Sequence, residues 1–262
     1  MKSDSIETVN NPNEQAFLTI VILASNEQQS LAETIDGILK KVDSKDIYEI
    51  IVFLKAEDCP AASIADEIIR NHAYHVPIRA VVQKANNLHQ AFSEIPALIK
   101  STHILIMFAD LATSSETVLK MIQQAKEHPN AVVSASKWHK ESDMKGYSFF
   151  RMAGSRILNS AVAVVLKSKG KDLFSAFRIV PMEIVRRLPF ENKSLFGYDY
   201  LLRPIALGVQ FIEVPTVYRA RKEGKTNVYP MTVLKTAAEF FFAALRIRLS
   251  LNRRQRKTTK HN

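Results

Sequence analysis

The chain has 262 residues, 47% of them hydrophobic, with a formal net charge of +10 and a single cysteine, Cys59. That composition excludes a disordered or collagen-like chain, and the length accommodates one large or two small domains with a sizeable core. One cysteine excludes an internal disulfide and fits a reducing compartment.

The N-terminus, Met1 to Gln15, is polar and carries several acids, so it does not read as a signal peptide. No run approaches the roughly 18 apolar residues of a spanning helix. From Phe17 the pattern alternates. Phe17 to Leu23 is β-branched and apolar, a strand, and Ser30 to Lys41 has helical spacing through Leu31, Ile35 and Ile38. Tyr48 to Leu54 reads as a second strand, Ser63 to His72 as a helix, and Ile78 to Val82 as a third strand. His89 to Lys100 is helical apart from Pro96. Ile104 to Phe108 and Ala131 to Ser134 are the next strands. Ser148 to Leu166 is a long apolar helix, and Val209 to Val214 a late strand. Strands and helices in this order predict an α/β protein with a mostly parallel sheet and helices on both faces.

The segment Ile104 to Glu116 carries the most chemical information. Its apolar strand ends on an acid, Asp110, and Thr113 with Glu116 predicts a capping box opening a helix that runs to Glu127. Ligands of open α/β sheets bind beyond the carboxyl ends of the strands. A carboxylate there can hold a divalent cation that clamps a diphosphate. His72, His75, His89, His103, His128 and His139 show no metal-ligand spacing and read as structural.

The positive charge is concentrated at the end. No acid follows Glu239, while Arg246, Arg248, Arg253, Arg254, Arg256, Lys257 and Lys260 do. From Thr232 a helical stripe holds Thr236, Glu239, Ala243, Arg246 and Ser250, and Leu234, Phe241, Phe242, Leu245 and Leu249 fall away from it. This predicts an amphipathic helix on an anionic membrane surface; the alternative is a helix docked on the domain with a solvated tail. The expected divisions are a flexible N-terminus (1–16), a globular domain (17–230), and the amphipathic helix with its basic tail (231–262).

Val21 to Glu27, Asp110-Leu with Glu116, Ala135-Ser-Lys137, Asp172 to Arg178, Asp199 to Gly208, Glu213-Val-Pro215, and Arg221-x-x-Gly224-x-Thr226 form an ordered set of segments. Together they resemble the glycosyltransferases of family 2, with the GT-A fold, and most closely the dolichyl-phosphate mannosyltransferase-like branch. The resemblance covers roughly Leu18 to Asn227. It implies an inverting, membrane-associated enzyme. Such an enzyme moves a sugar from a nucleotide diphosphate donor to a polyprenyl phosphate or another membrane-proximal acceptor on the cytoplasmic face. Its implied catalytic residues are Asp110, Asp199 and Arg178, with Asp110 the metal ligand. Its implied substrate-binding residues are Ser25, Glu27, Lys137, Asp172, Ser175, Arg221, Gly224 and Thr226, and Lys55 joins them by its charge alone.

The chain also departs from the family pattern. The two acids usual after the second strand are Leu54 and Lys55, and the first acid of the Asp-x-Asp motif is Phe108. A single carboxylate suits Mg²⁺ or Mn²⁺ only with phosphates completing the shell. Donor binding is therefore expected to rest more on Arg178, Arg221 and Lys55 than on a metal. Two other classes stand beside the enzyme. One is a catalytically degenerate relative acting as partner or regulator. The other, a nucleic-acid binder, is disfavoured because the tail lacks interleaved aromatics.

Overall fold

The computed structural model describes residues 16–71, 75–85, 87–111, 114–144, 149–189, 195–217 and 230–259. Seven strands form one sheet: β1 (Leu18–Ala24), β2 (Ile47–Leu54), β3 (Ile78–Val82), β4 (His103–Phe108), β5 (Val132–Ser136), β6 (Arg178–Pro181) and β7 (Phe211–Pro215). Their order is β3-β2-β1-β4-β6-β5-β7. All run parallel except β6, which is antiparallel to both β4 and β5.

The helices are α1 (Gln29–Lys41), α2 (Pro60–Asn71), α3 (Leu88–Glu94), α4 (Ser115–Glu127), α5 (Phe149–Leu166), α6 (Met182–Arg186), α7 (Phe196–Ala206) and α8 (Pro230–Thr259). The expected α/β architecture is present, with element limits moved by a few residues. The helix expected over His89 to Lys100 stops at Glu94 and continues as a 3₁₀ turn with Pro96 in its first positions, where the missing N–H is tolerated. The cap of α4 is Ser114, whose hydroxyl accepts from the Thr117 amide. The capping box is thus not the source of that helix start, and Thr113 lies outside the described residues.

Strand alternation explains the two-faced sheet. Leu18, Ile20, Ile22 and Ala24 of β1 face α1, α2 and α4 in one core, while Val21 and Leu23 face α3, α6 and α7 in the other. β4 divides likewise, Leu105 and Met107 from Ile104 and Ile106. A third cluster joins α5, α7 and α8 through Val162, Leu202, Phe240, Ala244 and Ile247. This places α8 in the packed body rather than on a free stalk.

His103 begins β4 and is 2% exposed. Its Nε2 lies 2.8 Å from the Pro129 carbonyl and its Nδ1 2.9 Å from the Thr102 hydroxyl. Burial pushes its pKa below the ordinary histidine value, against the opposing pull of the Pro129 bond. The folded state therefore resists a proton that the unfolded chain accepts. That stability is complete above the unfolded pKa and is lost as pH falls toward the folded one. Urea midpoints are expected to drop between about pH 7.5 and about pH 5.5, and His103→Gln is expected to shallow that slope.

Candidate functional site

The sheet order reverses where β1 adjoins β4 on one side and β2 on the other. Crevices form at such a switch point, beyond the carboxyl ends of the strands. Here a cleft of about 430 Å³ opens beside the ends of β4 and β5. Its polar lining comes from Asp110, Lys137, Ser175, His89, Tyr198, Thr216 and Thr236. The rest of its wall is mostly apolar, with Phe92, Phe108, Phe174 and Phe177 prominent.

Asp110 is 6% exposed and is followed by Leu111 with φ +55°. A leucine in the left-handed region is strained by about 1 kcal/mol or more, and such strain gathers at functional sites. Phe108, two residues earlier, is 38% exposed and lines the cleft where a second acid would stand. Among the described residues no group of three His, Cys, Asp or Glu side chains could hold a metal ion. Asp110 can therefore contribute one ligand, and a diphosphate would have to supply most of the others.

Lys137 reaches the cleft from the end of β5. Its amide donates to Asp172 Oδ2 at 2.8 Å, and its ammonium lies 3.8 Å from Oδ1. Asp172 itself is fully buried. Burial raises its pKa, and Lys137 and then Arg178 oppose that rise. Its amide donates to Glu213 at 2.8 Å. Asn159 accepts from the amides of Leu173 and Phe174. These bonds hold the 172–177 loop so that Ser175 faces the cleft. Asp172 is itself outside the cleft lining and meets Lys137 from behind.

Arg178 and Asp199, expected to be catalytic, are not among the residues lining the cleft. Arg178 is 1% exposed and points into the protein. It donates to the Ser134 hydroxyl and to the carbonyls of Leu201, Asp172 and Leu173, with the Phe211 ring 5.0 Å away. Burial pushes its pKa down to about 10, so it stays charged at neutral pH, and its donors are turned to these partners rather than to a phosphate. Asp199 is 2% exposed and lies outside the cleft lining. Its carboxylate accepts from Arg203 at 2.8 Å and from Arg246 at 3.3 Å, an arrangement that ties α7 to α8 rather than freeing a base.

Three other expected residues stand near the ends of β1 and β2, outside the cleft lining. Glu27 accepts from the Ser25 amide at 2.7 Å, closing the turn after β1. The Ser25 carbonyl accepts from Ala61 at the start of α2. Lys55 is exposed just after β2. Arg221, Gly224 and Thr226 lie outside the described residues.

Sequence reasoning missed His89. It stands at the start of α3, its ring 4.4 Å from that of Tyr198. A Cβ on Gly197 would lie 2.5 Å from its Nδ1. Glycine costs about 1 kcal/mol in a helix relative to alanine, so Gly197 in the first turn of α7 was the available signal of a close approach.

A parallel sheet with one reversed strand and a cleft at its carboxyl edge fits the GT-A fold, which the solved structures below share. The chain belongs to glycosyl transferase family 2, whose model matches residues 19–188. Undecaprenyl-phosphate 4-deoxy-4-formamido-L-arabinose transferase of Edwardsiella ictaluri is 22% identical over 215 residues, covering 80% of this chain. The chain spans 62% of that relative's length. Glucosyl-3-phosphoglycerate synthase from Mycobacterium tuberculosis, in complex with Mn²⁺, UDP-glucose and phosphoglyceric acid, aligns with TM-score 0.64 at 14% identity, over 90% of this chain and 81% of that one. A mannosyltransferase from Pyrobaculum calidifontis, in complex with GDP-mannose and Mn²⁺, aligns with TM-score 0.56 at 13% identity, over 93% and 76%. At these identities the solved structures speak for the fold.

Proposed function

We propose that this protein transfers a sugar, with inversion, from a nucleotide diphosphate donor to a lipid-linked acceptor at a membrane surface. The observation that carries the reading is the cleft itself. It combines Asp110, Lys137 and Ser175 with a mostly apolar wall, and its rim includes Thr236 of α8. An apolar wall suits a lipid-borne acceptor, and Lys137 suits a phosphate. The E. ictaluri relative, named for undecaprenyl phosphate, supports that acceptor class. UDP and GDP sugars, bound by the structural neighbours, are the donors to try first. The expected order is a single displacement. The acceptor oxygen attacks the anomeric carbon, and the nucleoside diphosphate leaves with the bonding electrons. A phosphate monoester with a second pKa near about 6 is largely ionised at neutral pH and needs no base.

No helix among the described residues is long and apolar enough to cross a membrane. Attachment would instead be peripheral. Leu234, Phe242 and Leu249 of α8 and Phe149, Ile157 and Val164 of α5 are all exposed. At helical spacing they lie opposite the buried sides of two helices that pack together. Lys167, Lys169, Arg248 and Arg253 lie toward the C-terminal ends of these helices, where they suit anionic lipid on the cytoplasmic face.

Calorimetric binding of UDP- and GDP-sugars, with and without Mn²⁺ or Mg²⁺, tests the reading. Binding of at least one donor is expected, with a loss in EDTA smaller than the loss in Lys137→Ala, which is put at about tenfold or more. Phe108→Asp should make binding more dependent on the metal. A specific observation favours a second reading, a catalytically degenerate partner of an active transferase: Phe108 occupies the acid's position and Arg178 faces inward. Absence of binding by every donor would favour that alternative.

A further inference from the structure

We infer that His89 is the group in this cleft that binds the phosphate end of the acceptor. The inference rests on the transferase reading above and names the residue that receives the second substrate.

Position is the first argument. His89 lines the same cleft as Asp110 and Lys137, but on the wall built by α3, α7 and α8. That wall also carries Thr236, which belongs to the same helix as the outward Leu234, Phe242 and Leu249. An acceptor whose tail lies in lipid beside α8 would bring its head group past this wall. His89 is the only imidazole among the residues lining the cleft.

The second argument is that the ring is held in place. Gly197 leaves room for it, and the tilted Tyr198 ring packs against it at 4.4 Å. Tyr198 is fixed in turn by donating to Glu239 at 2.9 Å. Loosely placed surface histidines lack such support.

Electrostatics is the third. The charged and titratable groups around His89 are Tyr198 on α7, Glu239 with its neighbour Lys235 on α8, and Asp110 and Lys137 in the shared cleft. Burial lowers the His89 pKa, and Glu239 opposes that. Burial and the Glu239 bond hold Tyr198 well above the ordinary tyrosine range, so it stays a neutral phenol. Burial thus favours a neutral imidazole. An arriving phosphate dianion would favour the imidazolium, which donates a charge-assisted bond to a phosphate oxygen. The proton comes from solvent and no covalent bond changes. Acceptor binding is therefore expected to weaken as pH rises through the bound-state pKa of His89.

The test uses the full chain and follows its imidazole resonances by NMR, with His89 assigned through His89→Gln. The probe is farnesyl phosphate, an isoprenyl monophosphate, compared with farnesol and inorganic phosphate. Farnesyl phosphate is expected to move the His89 titration to higher pH. His89→Gln is expected to weaken its binding about tenfold or more. Gly197→Ala, which displaces the ring, should weaken it in the same direction. An unmoved His89 titration in the wild-type protein overturns the inference, whatever the variants do. Equal binding of farnesol shows a tail site only, and equal binding of inorganic phosphate shows a bare anion site; either result also overturns it. UDP- and GDP-sugar binding is measured on the same samples. If donors bind and His89 does not respond, this inference alone falls; if no donor binds, the transferase reading falls with it.

Discussion

Arg178→Ala is expected to destabilise the whole protein rather than to weaken one ligand. Arg178 is among the largest fully buried side chains, and its guanidinium donates to four partners drawn from β5, α7 and the 172–173 turn. Alanine would leave those acceptors unpaired and remove one of the two cations that offset the buried Asp172 carboxylate. Each buried acceptor left unsatisfied costs about 1–3 kcal/mol, so losing several is a large share of the 5–15 kcal/mol that typically holds a domain together. Lysine would not rescue it, because one ammonium cannot reach what a planar fork reaches. Urea denaturation is the measurement, with Lys137→Ala as the contrast. Lys137→Ala should lower the midpoint less, because the residue-137 amide still donates to Asp172, and should lose donor affinity. An unchanged urea midpoint in Arg178→Ala, together with lost nucleotide-sugar binding, would return Arg178 to the cleft.

The reason this role was not legible in the sequence is instructive. The segment Asp172 to Arg178 stands out in the sequence, but a motif does not show which way its side chains point. Arg178 is the first residue of β6, a four-residue strand with no alternation long enough to read. It is reversed between β4 and β5, and that placement turns its side chain into the core. Asp199 misled in the same way. Its position at the start of a helix suggested a dipole-favoured acid, but its partners, Arg203 and Arg246, come from one turn on and from a helix 47 residues away. By contrast, β1, β2 and β4 were legible because each is mostly apolar and buried on both faces over most of its length. Asp110 was legible because it ends such a run. His89 was not, since its meaning comes from Gly197 and Tyr198, more than a hundred residues later.

Loss of α8 carries the other large expected effect. The stripe through Glu239, Ala243 and Arg246, read as the polar side, is the docking side. Tyr198 donates to Glu239, Arg246 pairs with Asp199, and Ala243 is buried. Small and charged residues dock here because α7 presents a phenol and a carboxylate to meet them. Phe240 is wholly buried against Phe174 at 4.4 Å between ring centres. Phe240→Ala is therefore expected to cost about 3–5 kcal/mol. Truncation before Pro230 should give an insoluble or unfolded product rather than a separable core, because it bares Val162, Leu173 and Leu202. Phe242 and Leu249, at 65% and 56% exposure, belong to the opposite side. Replacing both with serine should leave the urea midpoint nearly unchanged. It should lower binding to anionic liposomes by about tenfold or more, since a buried Phe or Leu side chain contributes about 1.5–3 kcal/mol. Flotation of liposomes with the intact double variant separates the two sides of one helix. Undiminished flotation would sink the membrane assignment, and cooperative unfolding of the truncated chain would sink the docking argument. The two sides are joined in function as well, because the helix that would rest on lipid also carries Thr236 and supports Tyr198 at the cleft. A change in how α8 sits would therefore alter the wall past which the acceptor must come.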